Sequence, residues 1–216
     1  MVCKLLVIGR AVKRTAYPAY NEVMDTMPHW MQVLLQTVAE HVFAVVALPL
    51  YILLVLPKHA EGTLPGFSPI IAQGVNPLLA VAAALVVFVA CVVLVLVLVR
   101  VFGRERMVPK EVDQLADAFS MLDLVPVYAA AGFAEEFLFR VVCVDLCGVI
   151  VAALLFAAMH FTYWKHPLLM GEVLVVSLLL GILYAFTQSL LLCALVHFAY
   201  NLVVTHLTKT GFTMPF

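Results

Sequence analysis

Residues 78–99, LLAVAAALVVFVACVVLVLVLV, run for 22 positions without a single charge. At about 1.5 Å of rise per residue, a helix of about 20 apolar residues crosses the roughly 30 Å hydrocarbon core of a bilayer. The rest of the chain has the same character. Of its 216 residues, 65% are hydrophobic and 12% are charged, whereas soluble domains average roughly 45–50% and about 25%. A mean hydropathy of +1.12 excludes both a soluble globular domain and disorder. The chain reads as all-α, a polytopic helical bundle in a membrane.

Outward from that stretch, six apolar segments can be drawn: 33–56, 78–101, 124–147, 149–164, 168–187 and 189–207. The first contains Pro49, and Glu40 and His41 interrupt its early part, so it begins as an interfacial stretch near Trp30. Breakers fill the connections, with Pro57, Gly62, Pro65, Gly66 and Pro69 in the first loop and Pro167 in the fourth. No internal repeat or low-complexity tract divides the chain. One domain over 1–216 is expected, with a cytoplasmic N-terminal segment over 1–29.

Between the second and third segments, Val108, Val112, Leu115, Phe119 and Leu122 recur at helical spacing, while Lys110, Glu111, Asp113, Gln114 and Asp117 take the other face. Pro109 suits a first helical turn. This is one interfacial amphipathic helix on the cytoplasmic surface, or a loop helix packed on its own protein.

Lys and Arg set the expected orientation. Six alternating spans place Lys4, Arg10, Lys13, Arg14, Arg100, Arg104, Arg106, Lys110, Lys165 and Lys209 on one side. Lys58 alone falls on the other, and Arg140 is inside a span. By the positive-inside rule both termini are cytoplasmic. The net charge of −1 hides this asymmetry, and no nucleic-acid partner is expected. Cys3, Cys91, Cys143, Cys147 and Cys193 form neither a disulfide framework nor a paired zinc spacing and read as small buried hydrophobes. The N-terminal CKLLVIGR is too short in apolar residues for a signal peptide.

Chemistry enters where polar residues interrupt the apolar spans. The third carries Glu135, Glu136 and Arg140, the fourth Phe156 and His160, the sixth His197 and Asn201. A charge at the bilayer centre costs roughly 2.5–3.5 kcal/mol on insertion scales, so three ionisable groups in one span belong in the bundle interior or a wet cavity. Glu136 and Arg140, at i and i+4 with the acid first, suit an intrahelical ion pair. Glu135 is turned about 100° from Glu136 on an α-helical wheel, away from that neutralisation. A carboxylate lacking a strong partner in low dielectric suits general acid or base work near neutral pH. Phe156, one turn before His160, can wall off its ring. His197 and Asn201 project together, and two neutral donors on one face suit an oxyanion hole or, structurally, an interhelical hydrogen-bonded pair.

Glu-Glu-x-x-x-Arg, Phe-x-x-x-His and His-x-x-x-Asn, in this order on membrane helices, resemble the CPBP family: glutamate intramembrane proteases of the CAAX prenyl endopeptidase and bacteriocin-processing, abortive-infection type. The likeness covers about residues 107–207. Members often have Gly after the motif arginine, where this chain has Val141. The resemblance implies endopeptidase activity in or near the membrane by a glutamate-activated water. It implies that Glu135 is the base, that His160 assists, that His197 and Asn201 stabilise the oxyanion, and that Glu136, Arg140 and Phe156 support the site. The substrate would be a membrane-anchored or membrane-associated protein or peptide, and the location a prokaryotic plasma membrane. No cofactor is required, although zinc on Glu135, His160 and His197 stays open.

Other protease chemistries lack their residues: there is no His-Glu-x-x-His, Ser177 and Ser189 have no suitable glycine neighbours, and of the two intramembrane aspartates an aspartyl protease needs, only Asp145 lies near a span, at its end. A non-catalytic membrane chaperone or a transporter is the rival reading. A transporter should show inverted repeats and broken helices in both halves, and the two halves here look unlike each other.

Overall fold

The computed structural model describes residues 26–62 and 75–212. Lys4, Arg10, Lys13, Arg14, Cys3, Pro65, Gly66, Pro69 and most of the N-terminal segment lie outside the described residues. Among the described residues, five helices are long and apolar enough to cross a membrane: Val42–Ala60, Pro77–Phe102, Met121–Met159, Pro167–Thr187 and Leu190–Lys209.

The first half of the bundle begins with α1 (His29–Glu40), a helix of its own, and α2 (Val42–Ala60). The expected span 33–56 is thus shifted toward the C-terminus, and α2 contains Pro49 and a π-helical turn at Tyr51–Val55. The decisive apolar stretch lies in α3 (Pro77–Phe102). Its start is built by Asn76, whose side-chain oxygen accepts from the Leu78 and Leu79 amides at 2.9 and 3.4 Å, with Pro77 in the first turn. One narrow stripe, Ala80, Ala84, Cys91 and Val95, is buried, the last three against α7 and α8, while Leu78, Leu85, Val86 and Val97 point outward. A small-residue stripe inward and bulky residues outward is the pattern of helices packing in lipid.

The expected amphipathic segment folds as a short helix, α4 (Lys110–Ala118). It is packed on its own protein: Ala116 and the following Phe119 are buried, and Arg104 donates to Asp113. Leu122 does not share that face. It belongs to the next helix and is exposed, because Ser120 ends the segment by starting a capping box with Asp123.

The longest helical run, 39 residues, is about twice what a bilayer needs. It consists of α5 (Met121–Glu136), a π-helical stretch at Phe137–Val144, and α6 (Asp145–Met159). Gly148 breaks it with φ 81° and ψ 167°, a conformation open essentially to glycine alone. The chain doubles back there. Phe139 and Phe156 would stand about 25 Å apart on a straight helix, yet their rings meet at 5.0 Å. The third and fourth expected segments are therefore the two limbs of one hairpin. The second limb is shorter than the expected 149–164: helix ends at Met159, only about half the length a bilayer crossing needs beyond Gly148, and a single 3-10 turn at Phe161–Tyr163 follows.

From there α7 (Pro167–Thr187) and α8 (Leu190–Lys209) complete the bundle. Lys209 Nζ donates to Phe119 O at 2.8 Å and Arg104 Nη2 to Thr208 O at 3.3 Å, which gathers the end of α8 and the segment after α3 at one charged end. At the opposite end His59 meets Asp145 at 3.2 Å.

Candidate active site

Gly132 brings the first two elements of the site together. A Cβ at this position would lie 3.0 Å from Ala194 O and 3.4 Å from Phe198 N, so its absence lets α5 and α8 approach backbone to backbone. Ala194 and Phe198 bracket His197 in sequence, and Glu135 and Glu136 follow Gly132 by one turn. Close approach of these helices sets the acids of one against the histidine of the other.

Glu136 and Arg140 are fully buried and bonded, with Arg140 Nε donating to Glu136 Oε2 at 2.7 Å and Nη2 to Oε1 at 3.3 Å. Ser177 of α7 takes the third bond, from Arg140 Nη1 at 3.0 Å. Glu136 Oε1 also meets His197 Nδ1 at 2.8 Å. A carboxylate already receiving two guanidinium protons acts as acceptor, so Nδ1 is the protonated nitrogen and His197 Nε2 is turned the other way. There it faces Glu135 Oε2, at 4.0 Å. His160 ends α6 and reaches the Phe156 carbonyl with Nδ1 at 2.7 Å. A carbonyl only accepts, so this ring too carries its proton on Nδ1, and in the neutral imidazole Nε2 is the basic atom.

Phe156 occupies the middle of the cluster. Its ring lies 4.5 Å from that of His160 and 6.1 Å from that of His197, with the Arg140 guanidinium carbon 5.2 Å from its centroid. It separates the buried ion pair from His160. Glu135, Phe156, His160, His197 and Asn201 line one cavity of about 150 Å³, while Glu136 and Arg140 lie behind the wall. The cavity runs toward the charged end, where Met107, Val108, Val112, Ala116 and Phe212 line it. All seven residues singled out by the three motifs thus fall in one neighbourhood drawn from four elements. Among the described residues, no three His, Cys, Asp or Glu side chains are grouped so as to hold a metal ion.

Two groups escape the motif spacing. Ser177 accepts from Arg140 across 37 residues of sequence, a pairing that spacing within one helix does not reveal. Glu172, buried in α7, bonds Tyr200 and lines the cavity. The cost of placing a carboxylate in an apolar span singles it out on the same ground as Glu135.

Fold and site together define a polytopic helical membrane protein with acids and histidines converging on an internal cavity. Residues 117–203 match the family model described as type II CAAX prenyl endopeptidase Rce1-like. This stretch holds all three motifs, and the family resemblance is borne out over it. The chain is also similar to a curated protein of Bacillus subtilis (strain 168), the uncharacterized protein YpbD, with 42% identity over 71 residues. That match covers 33% of this chain and 38% of the relative, so the chain spans well under half the length of the curated protein it matches. No solved structure matches the chain.

Proposed function

We propose that the protein is an intramembrane endopeptidase that hydrolyses a peptide bond of a membrane-associated substrate with a water activated by Glu135. The observation that carries this reading is the convergence of Glu135, His160, His197 and Asn201 on one cavity inside a membrane bundle. Three helices contribute a carboxylate, a ring with a basic nitrogen and a pair of donors, and the match to a protease family covers the same residues.

In this mechanism Glu135 takes a proton from water as the oxygen attacks the scissile carbonyl carbon, and His160 Nε2 holds the water by accepting its other hydrogen. The carbonyl oxygen becomes an oxyanion, met by the Asn201 amide and by His197. Because Nδ1 of His197 is committed to Glu136, donation from Nε2 uses the doubly protonated ring, and carboxylates on both sides of it suit that form. His197 is then a charged donor rather than a neutral one. Collapse of the intermediate breaks the C–N bond, and Glu135 returns its proton to the departing amine. Glu136, Arg140 and Ser177 are positioning residues that act through His197. No step is assigned to a metal.

The charged end of the bundle faces the cytoplasm in this proposal, since Arg100, Arg104, Arg106, Lys110 and Lys209 belong to it by the positive-inside rule. The test is reconstitution of purified protein in vesicles with membrane-anchored peptides and mass analysis of the products. Cleavage within or beside the apolar segment, lost in Glu135→Gln, is the expected result. Cleavage undiminished in that variant overturns the proposal.

A further inference from the structure

The helix α6 stops at Met159, and His160 is the residue on which the chain turns away. Phe156 O is the pivot. In a helix that ran on, this carbonyl would take the backbone N–H of His160, four residues later. Instead that N–H turns to Ala157 O at 2.9 Å, and the His160 ring fills the place with Nδ1 at 2.7 Å. Ala158 O is next in the row. Its helical partner would be the amide of residue 162, but the indole of Trp164 folds back six residues and donates Nε1 to it at 3.1 Å. Of the four carbonyls that a helix end leaves open, one is thus closed by the imidazole, one by a tightened backbone bond and one by the indole.

Trp164 is 64% exposed and does not line the cavity. Ala158, which it caps, is exposed as well. The limb reaches only about 16 Å beyond Gly148 at 1.5 Å per residue, so its end lies at the apolar surface of a membrane bundle. Water does not supply a missing donor there. Without the indole N–H, the nearest repair is one more turn of helix: the amide of residue 162 takes Ala158 O, and the His160 N–H takes Phe156 O. The second of these bonds evicts the imidazole. An imidazole so released samples both tautomers, and the wrong one turns an N–H on Nε2 toward a water that needs an acceptor. We propose that Trp164 is a positioning residue for His160, its indole N–H closing α6 at Met159 so that Phe156 O stays with Nδ1 and Nε2 stays bare. The rings of Phe156 and Tyr163, at 4.5 and 5.9 Å from that of His160, set its plane, and the indole sets its tautomer. The role in hydrolysis rests on the peptidase reading, whereas the tautomer is a property of the resting protein.

The experiment reads the tautomer and the reaction separately. Full-length protein carrying isotope-labelled histidine, in micelles without substrate, gives the protonation of each ring nitrogen by magnetic resonance. The His160 signals are those missing from His160→Gln. Rates come from the vesicle assay with membrane-anchored peptides. In the parent, His160 is expected to carry its proton on Nδ1 alone. Trp164→Phe keeps an exposed ring and loses the N–H. It should bring in the form protonated on Nε2 and lower kcat about tenfold, with KM within about twofold because Trp164 lies outside the cavity. Trp30→Phe, at the other exposed tryptophan, should change neither. Where Trp164→Phe does not fold, Trp164→benzothienylalanine replaces it, with the bicyclic shape kept and the N–H absent. A proton on Nε2 of His160 in the parent, a tautomer or a kcat unmoved by loss of the N–H, or a loss carried wholly by KM overturns the proposal. A fold lost even with the isostere makes the bond a fastening and overturns it too. The tautomer shift in a protein whose parent hydrolyses none of the peptides overturns the peptidase reading alone, and undiminished hydrolysis without the shift overturns the positioning role alone.

Discussion

Two buried histidine–carboxylate pairs sit at different heights in this bundle. His197 meets Glu136 at 2.8 Å, with the two side chains 9% and 0% exposed. His59 meets Asp145 at 3.2 Å, with side chains 10% and 3% exposed. By distance and burial the pairs are close equivalents. What differs is the neighbourhood. His197 has a second acid, Glu135, on its far side and borders the cavity, whereas neither His59 nor Asp145 lines it. The lower pair ties the end of α2 to the hairpin just before its apex at Gly148. Burial and pairing are therefore common to a fastening and to a reactive centre, and the adjoining space makes the difference.

The comparison is broken most directly at Glu135. Glu135→Gln removes the base while leaving the Glu136–Arg140–Ser177 network whole, so cleavage should fall by roughly 10²–10⁴-fold, the usual worth of a positioned acid or base. The melting temperature of the solubilised protein should scarcely move. A variant that unfolds but whose remaining folded fraction cleaves normally would make the upper cluster a fastening like the lower one.

Arg140→Ala acts on both properties. It takes away two bonds to Glu136 and one to Ser177 and leaves a buried carboxylate without its main counter-charge, which costs about 3–5 kcal/mol in comparable buried pairs. Folded yield and thermal stability should drop sharply, and activity per folded molecule should drop as well, because the Glu136 carboxylate that orients His197 is no longer held by Arg140. Chromatographic yield and specific activity, measured on the same preparation, separate the two losses.

His59→Ala is the converse. It should cost about 1–3 kcal/mol by leaving the Asp145 carboxylate poorly satisfied, visible as an earlier thermal transition. Specific activity of the folded fraction should stay within about twofold of the parent, a change worth roughly 0.4 kcal/mol. A collapse of activity without loss of stability would show that the lower pair communicates with the cavity.

These clusters are unequally legible in the sequence, for physical reasons. The hairpin was legible because Gly148 falls between two apolar blocks, and the drawn segments part at that residue. The triple motif was legible because each pair lies within one helix at i and i+4 spacing. The first span was displaced, since Pro49 and the π-helical turn at Tyr51–Val55 shift where α2 becomes a continuous apolar rod. Glu135's encounter with His197 was not readable from a helical wheel. It depends on α8, a separate helix whose approach at Gly132 a wheel of one helix does not describe. Ser177 and Tyr200 find their partners only across helices, where single-helix spacing carries no information. His59 and Asp145, one in a loop-facing turn and one near a span's edge, gave no periodic signal at all.

The smallest expected effect is that of a chelator, and it sharpens the comparison further. If a bound zinc distinguished the upper cluster, the cavity would be secondary and the metal would define the centre. Zinc in catalytic sites takes three protein ligands within about 2.0–2.3 Å and a water in the fourth position. The protonated Nδ1 of His197 points at Glu136, which leaves Nε2 as its only ligating atom. Among the described residues no third donor completes such a group. Asn201, which also lines the cavity, is an amide donor, which serves an oxyanion better than it serves zinc. The work of activating water and stabilising charge is assigned to protein groups, so prolonged chelation of the solubilised enzyme should leave kcat/KM unchanged within error, with zinc well below one atom per chain by elemental analysis. Activity lost to the chelator and restored by zinc, in step with one metal bound per chain, would turn Glu135, His160 and His197 from acid, base and donor into ligands.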